Sequence, residues 1–137
     1  MIADLKDKIA LVTGAGSGIG RGIALVLAEQ GASVAVTDLK EEWASATAKA
    51  ANNSDVIPLA LDVVNKKSVQ SSVAEIISRW GHLDILVNNA GIPSGSVVGR
   101  EDSEADWDRT FAVNVKGTVH CCEAVIPHMK ERKFGKI

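Results

Sequence analysis

The sequence predicts an α/β fold, a doubly wound parallel sheet with helices on both faces. Three observations carry it. Short, continuous apolar runs alternate with stretches of helical period along the chain, and strands this apolar belong to sheets covered on both faces. A glycine-dense turn, Thr13-Gly14-Ala15-Gly16-Ser17-Gly18-Ile19-Gly20, stands between the first such run and the first helical stripe. An acid, Asp38, closes the second run about twenty residues further on.

Ile9-Ala10-Leu11-Val12 is the first strand. Ile19, Ile23, Val26 and Leu27 then recur at helical spacing, and Gly31 stands where a helix ends in a left-handed residue. Residues 33–38 form the second strand. Trp43, Ala46, Thr47, Ala50 and Ala51 mark the second helix, which Asn52-Asn53-Ser54-Asp55 closes. Residues 56–61 form the third strand, and Pro58 places it at an edge because proline cannot donate to a ladder. Asn65 caps a third helix with the stripe Val69, Val73, Ile76, Ile77 and Trp80, and Gly81 stops it. Residues 83–88 form the fourth strand. Right-handed crossovers then limit the sheet to the order 3-2-1-4 of a Rossmann half.

Residues 89–102 hold Gly91, Pro93, Gly95 and Gly99 without a helical period, so a long loop is expected at the C-terminal ends of the strands. A helix starts near Ser103, carries Trp107, Phe111 and Val115 along one side, and runs toward Met129. Gly117 permits close backbone packing, and Pro127 is expected to kink or end the helix. Residues 133–137 read as a turn entering a fifth strand that hardly begins, so the sheet is incomplete at its C-terminal end.

Composition narrows the function. The 137 residues suit one domain, expected to span 1–137 as part of a longer one. A net charge of −2 offers no basic surface for nucleic acid, and no apolar run approaches a membrane span. The N-terminus has charges where a signal peptide is apolar. Cys121 and Cys122 are adjacent and unsuited to pair with each other, so a reduced, cytoplasmic protein is the default. His120 beside them has no second His/Cys cluster at zinc-site spacing, and no metal is expected.

Strand, glycine turn, helix is the setting in which clustered glycines act. The turn is tight, the backbone comes close to a ligand, and the helix N-terminus offers N–H groups to an anion. A dinucleotide pyrophosphate is the anion expected there. Asp38 then receives the adenosine ribose hydroxyls. The same carboxylate repels a 2′-phosphate, and Ser17 before Gly18 and Leu39 after Asp38 bring no base to the place. NAD(H) is therefore expected over NADP(H), with Lys40, the nearest cation, directed to solvent.

The spacing is not G-x-G-x-x-G, since the last position falls on Ile19 or Arg21, and no P-loop follows. What fits is T-G-x-x-x-G-x-G at Thr13, Gly14, Gly18 and Gly20, which resembles the short-chain dehydrogenase/reductase family. Asn88-Asn89-Ala90-Gly91 is similar to that family's N-N-A-G after the fourth strand, and Asp62-Val63 to its D-V pair after the third. Trp107-Asp108, Val113-Asn114 and Pro127-His128-Met129 follow its long helix. The likeness covers the whole chain. It implies cofactor contacts at Gly14, Ser17, Gly18, Ile19, Gly20, Asp38 and Leu39. It adds Asp62 and Val63 at the adenine, Asn89, Ala90 and Gly91 on the ribose side, and Val113. Asn114 is by this likeness the active-site asparagine of a proton relay; on its own it is a mid-helix residue needing a hydrogen bond.

The departure from the family matters equally. Its serine, tyrosine and lysine fall after the fifth strand, and this chain contains no tyrosine. His82, His120 and His128 are expected away from the cofactor end. Two readings follow. The chain is the NAD(H)-binding part of an oxidoreductase that passes hydride between a nicotinamide and a small-molecule alcohol or ketone, a homo-oligomer at full length and inactive as 137 residues. The alternative is a non-catalytic dinucleotide-binding module.

Overall fold

A computed structural model describes residues 4–95, 99–101 and 103–137. Within it β1 (Ile9–Val12) is buried over its whole length. Its side chains alternate between two separate apolar layers, Ile9 and Leu11 in one, Ala10 and Val12 in the other. A strand with an apolar layer on each face belongs in the interior of a sheet. Accordingly β2 (Ser33–Asp38) and β3 (Val56–Ala60) lie on one side of it and β4 (Ile85–Val87) on the other, in the order β3-β2-β1-β4. Every pairing is parallel, with Leu11 facing Ala35 and Leu86 across the two ladders. The order is the one expected, with Pro58 in the edge strand. β4 is shorter than the apolar run that announces it. Of the expected loop 89–102, residues 96–98 and Asp102 lie outside the described residues.

The layer of Ala10 and Val12 takes small buried side chains from its helices. α1 (Gly18–Glu29) buries Gly20, Ala24 and Ala28, and α2 (Glu41–Ala51) buries Ala44 and Thr47. Two expectations need correction here. The helical period puts Ile19 and Val26 on the buried face of α1, yet both are exposed, Ile19 by 78%. Trp43, Ala46 and Ala50 likewise stand outside, while Ala44, Thr47, Ala48 and Ala51 face the core. A row of glycine and alanine lets a helix approach a sheet closely, and that approach decides between adjoining faces of similar hydrophobicity.

The layer of Ile9 and Leu11 holds the larger residues. α3 (Lys66–Trp80) contributes Val69, Val73 and Ile76, as its stripe predicts. Its start is fixed by Asn65, whose side chain accepts from the N–H groups of Lys67 and Ser68, and its end by Gly81 at φ 85°. α4 (Ser103–Phe111) continues through a π-helical turn, Ala112–Lys116, into α5 (Gly117–Arg132). The helix does not stop at Pro127. Val125 and Met129 flank that residue and are both buried, so packing carries the helix across the missing N–H. Trp107, Phe111 and Val115 share a side, as expected, and that side is about half exposed.

Past α5 the chain returns to the sheet. Lys136 donates its N–H to the Asp84 carbonyl at 2.9 Å and accepts from Leu86 N–H at 2.9 Å, a parallel bridge that begins a fifth strand beside β4. Asp84, whose carbonyl takes part in this bridge, is itself fully buried. It accepts from Ile9 N–H at 3.0 Å and from Arg132 at 2.9 Å, and His82 Nε2 lies 3.0 Å away. One carboxylate thereby ties the start of β1, the start of β4 and the end of α5.

Burial pushes the Asp84 carboxyl up, but the Arg132 hydrogen bond, the Ile9 N–H and the nearby positive charges outweigh it and hold the group below the ordinary carboxylate range. A carboxyl depressed in the folded state stabilises above its unfolded pKa, and that contribution is lost as pH falls through the folded value. Asp84→Asn is therefore expected to cost about 1–3 kcal/mol at neutral pH and much less in acid. Urea titrations from about pH 7 down to about pH 3 check this; parallel pH profiles for the two proteins refute it.

Candidate functional site

The cleft forms where the strands end, and Thr13 shapes it. Thr13 N–H donates to the Val87 carbonyl at 3.1 Å. Its Oγ1 accepts from the N–H groups of Asn89, at 3.1 Å, and Ala90, at 3.0 Å. In return Asn89 Nδ2 donates to the carbonyls of Thr13 and Gly14, at 2.9 and 3.0 Å. The loop after β4 is thus bonded to the turn after β1. Gly14 makes the fit possible. Its φ is +62°, and a Cβ there would stand 2.8 Å from Ala90 Cα.

The turn then meets β2. Asp38 accepts from Gly16 N–H at 2.9 Å and from Leu39 N–H at 2.8 Å. A Cβ on Gly16 would lie 2.7 Å from the Asp38 carboxylate and 2.9 Å from Trp43 Cβ. Ser17 follows as the N-cap of α1 in an extended conformation without a side-chain cap bond. The amides of Gly18, Ile19 and Gly20 have no acceptor among the described residues, the first helical donor being Arg21 N–H to Ser17 O at 3.1 Å. Three unpaired N–H groups at the head of a twelve-residue helix favour an anion.

The remaining wall comes from β3 and the long helix. Asp62 Oδ1 accepts from Val64 N–H at 3.0 Å and so shapes the turn that carries Val63. Gly117 takes the Val63 side chain against its backbone, where a Cβ would fall 2.6 Å from Val63 Cγ2; a side chain, and not the backbone expected, makes the close approach. His120 Nδ1 lies 2.9 Å from the Val63 carbonyl. This corrects its expected place: His120 stands behind the cleft wall, because the start of α5 packs on Val63 through Gly117. His82 and His128 bond near Asp84 and Leu83, at the opposite end.

These parts enclose a cleft of about 290 Å³. Gly14, Ser17, Asp38 and Leu39 line one side, Asp62 and Val63 the next, and Asn89, Ala90, Gly91 and Val113 the other. Gly18, Ile19 and Gly20 do not line it; they border it through the helix N-terminus, with the Ile19 side chain turned to solvent. Asn114 does not line it either. Its Oδ1 accepts from Ile92 N–H at 2.8 Å and its Nδ2 donates to Ile92 O at 2.9 Å, a two-bond clamp on the loop that does. The π-helical turn that carries Asn114 has no signal in the apolar period of the sequence.

Three wall residues escape the sequence reading: Trp43, Leu61 and Ile92. Trp43 has a legible cue, a bulky ring one helical turn into the element that follows Asp38. A side recess of about 370 Å³ adjoins the cleft there, lined by Gly16, Ser17, Asp38 and Trp43. Burial, then the neighbouring Cys122, pushes the Cys121 thiol up to about 11. Among the described residues no helix is long and apolar enough to cross a membrane.

Fold and cleft together define a nucleotide-binding α/β module that opens at the C-terminal edge of a parallel sheet. Residues 8–137 match the family model for short chain dehydrogenase, and the chain belongs to that family. A (2S)-[(R)-hydroxy(phenyl)methyl]succinyl-CoA dehydrogenase subunit of Thauera aromatica is 43% identical over 97% of this chain and 54% of its own length. Among solved structures, a 3-ketoacyl-(acyl-carrier-protein) reductase of Brucella melitensis complexed with NADH superposes with a TM-score of 0.87. It is 36% identical, over 93% of this chain and 52% of that one. A structure titled ribose-5-phosphate isomerase, also from Brucella melitensis, superposes with a TM-score of 0.89 at 38% identity, over 97% and 51% of the two chains. The chain spans about half the length of the relatives it matches.

The seam at Gly14 makes a differential prediction. Gly14 and Gly18 both have positive φ, but a Cβ on Gly18 meets open space. Gly18→Ala is expected to lose about 1–2 kcal/mol, the left-handed penalty alone. Gly14→Ala loses more, because Ala90 has to move. Equal losses in urea denaturation refute the seam.

Proposed function

We propose that this chain is the NAD(H)-binding part of a short-chain dehydrogenase/reductase acting on a small-molecule alcohol or ketone. The observation that carries the reading is a single cleft with unpaired helix N-terminal amides at its border and the Asp38 carboxylate in its wall. The residues fit a dinucleotide. Gly14 leaves room where a side chain would intrude, and the amides of Gly18, Ile19 and Gly20 suit the pyrophosphate. Asp38, fixed by two N–H groups, keeps lone pairs for the ribose hydroxyls, with Leu39 beside it. Asp62 and Val63 flank the adenine, and Asn89, Ala90, Gly91 and Val113 the ribose and nicotinamide side.

Bound there, the nicotinamide supplies or accepts a hydride. This chain's own residues position it. Asn114 holds the Ile92 segment by both ends of its amide, and from that place it serves the proton relay that the family likeness implies. Proton transfer to an alkoxide needs a titrating donor within about 2.6–3.2 Å, worth about 10²–10⁴-fold. No tyrosine exists in this sequence, and the histidines stand behind the wall or at the far end. The missing tyrosine gives the second reading its ground: a dinucleotide-binding module without turnover. In our reading residues 1–137 are one Rossmann-type unit of a longer, cytoplasmic, homo-oligomeric enzyme, and the two relatives titled dehydrogenase and reductase support that class of reaction.

Nicotinamide fluorescence titrations test the cofactor reading. NADH is expected to bind about ten- to hundred-fold tighter than NADPH, the worth of one charged hydrogen bond, and Asp38→Ala is expected to erase the difference. Equal affinities in the unmutated chain reject it. A 137-residue polypeptide of verified intact mass is expected to leave NAD-dependent oxidation of secondary alcohols at background. Clear turnover by that polypeptide would falsify the need for a further acid.

A further inference from the structure

We infer that Trp43 and Lys40 form a specificity pair: the Trp43 indole holds the Lys40 ammonium out of the recess beyond Asp38 and so disfavours a 2′-phosphate there. The inference rests on the dinucleotide reading above and deepens it. Lys40 does not simply extend into solvent. Its Nζ lies 5.0 Å from the centroid of the Trp43 ring, within cation–π range. Lys40 makes no ion pair with Asp38 among the described residues, although it is two residues away.

The recess has the geometry for a ribose 2′-substituent. It adjoins the main cleft through Ser17, Asp38 and Trp43, and a Gly16 side chain would close it. Its charge is one-sided. Asp38 lies in its wall, Glu41 and Glu42 open α2 just beyond, and Lys40 is the single cation of residues 38–48. On the Asp38 side of the recess a phosphate therefore looks to Lys40 for compensation. Trp43 competes for that ammonium, and its backbone is fixed where the Gly16 turn packs against it. The ring acts as a holder of that counter-charge, in addition to forming a wall.

A double-mutant cycle read as the ratio of NADPH to NADH affinity tests this. Trp43→Leu frees the ammonium and is expected to raise the ratio about two- to five-fold, the size of an exposed cation–π contact. In a Lys40→Ala background the same substitution is expected to leave the ratio unchanged. Trp43→Phe, which keeps an aromatic face and the fold, is expected to fall between wild type and Trp43→Leu. An unchanged ratio in Trp43→Leu overturns the pair, and so does a rise that persists without Lys40, since widening of the recess alone then explains it. Failure of the unmutated chain to bind NADH is a different result and removes the cofactor reading itself.

Discussion

The hydroxyl of Thr13 sits between two loops that belong to different strands and serves both. It accepts from Asn89 and Ala90 while the Asn89 amide answers to the carbonyls of Thr13 and Gly14. Every donor and acceptor in that exchange is at least partly buried, so each bond replaces one that water would otherwise make. Without it the loop after β4 has no reason to lie against the turn after β1, and the cleft between them has no fixed width. The glycine at position 14 is the steric side of the same constraint, since the two backbones meet where its side chain would be.

The asymmetry of the two core layers serves the same site. On one face alanine and glycine bring α1 close to the sheet, which sets the helix N-terminus near the ends of β1 and β2. On the other face larger residues hold α3 and α5 on Leu11, Leu59 and Leu86. The thin layer sets where the unpaired amides of Gly18, Ile19 and Gly20 open. The thick layer carries the long helix, whose π-helical turn presents Asn114 to Ile92. Asp84 anchors the far end of β1 and β4 to that helix.

Much of this was legible in the residues. Alternating apolar runs and helical stripes determined the strands, their parallel order and the edge position of β3, because right-handed crossovers leave few other ways to cover such strands. The glycine spacing and Asp38 marked one side of the cleft, since a left-handed turn and an acid at a strand end are local requirements. Asn65 and Gly81 bounded α3 for the same local reason. Tertiary packing decided the rest. Which face of α1 and α2 turns inward depended on how near a helix can come to the sheet, and Ile19 and Trp43 lost to alanines on that ground. Pro127 stayed inside a helix because buried neighbours on both sides outweigh one missing hydrogen bond. The place of His120 behind Val63, the π-helical turn at Asn114 and the perch of Lys40 on Trp43 all join residues through contacts between elements, and no period along a single chain encodes those.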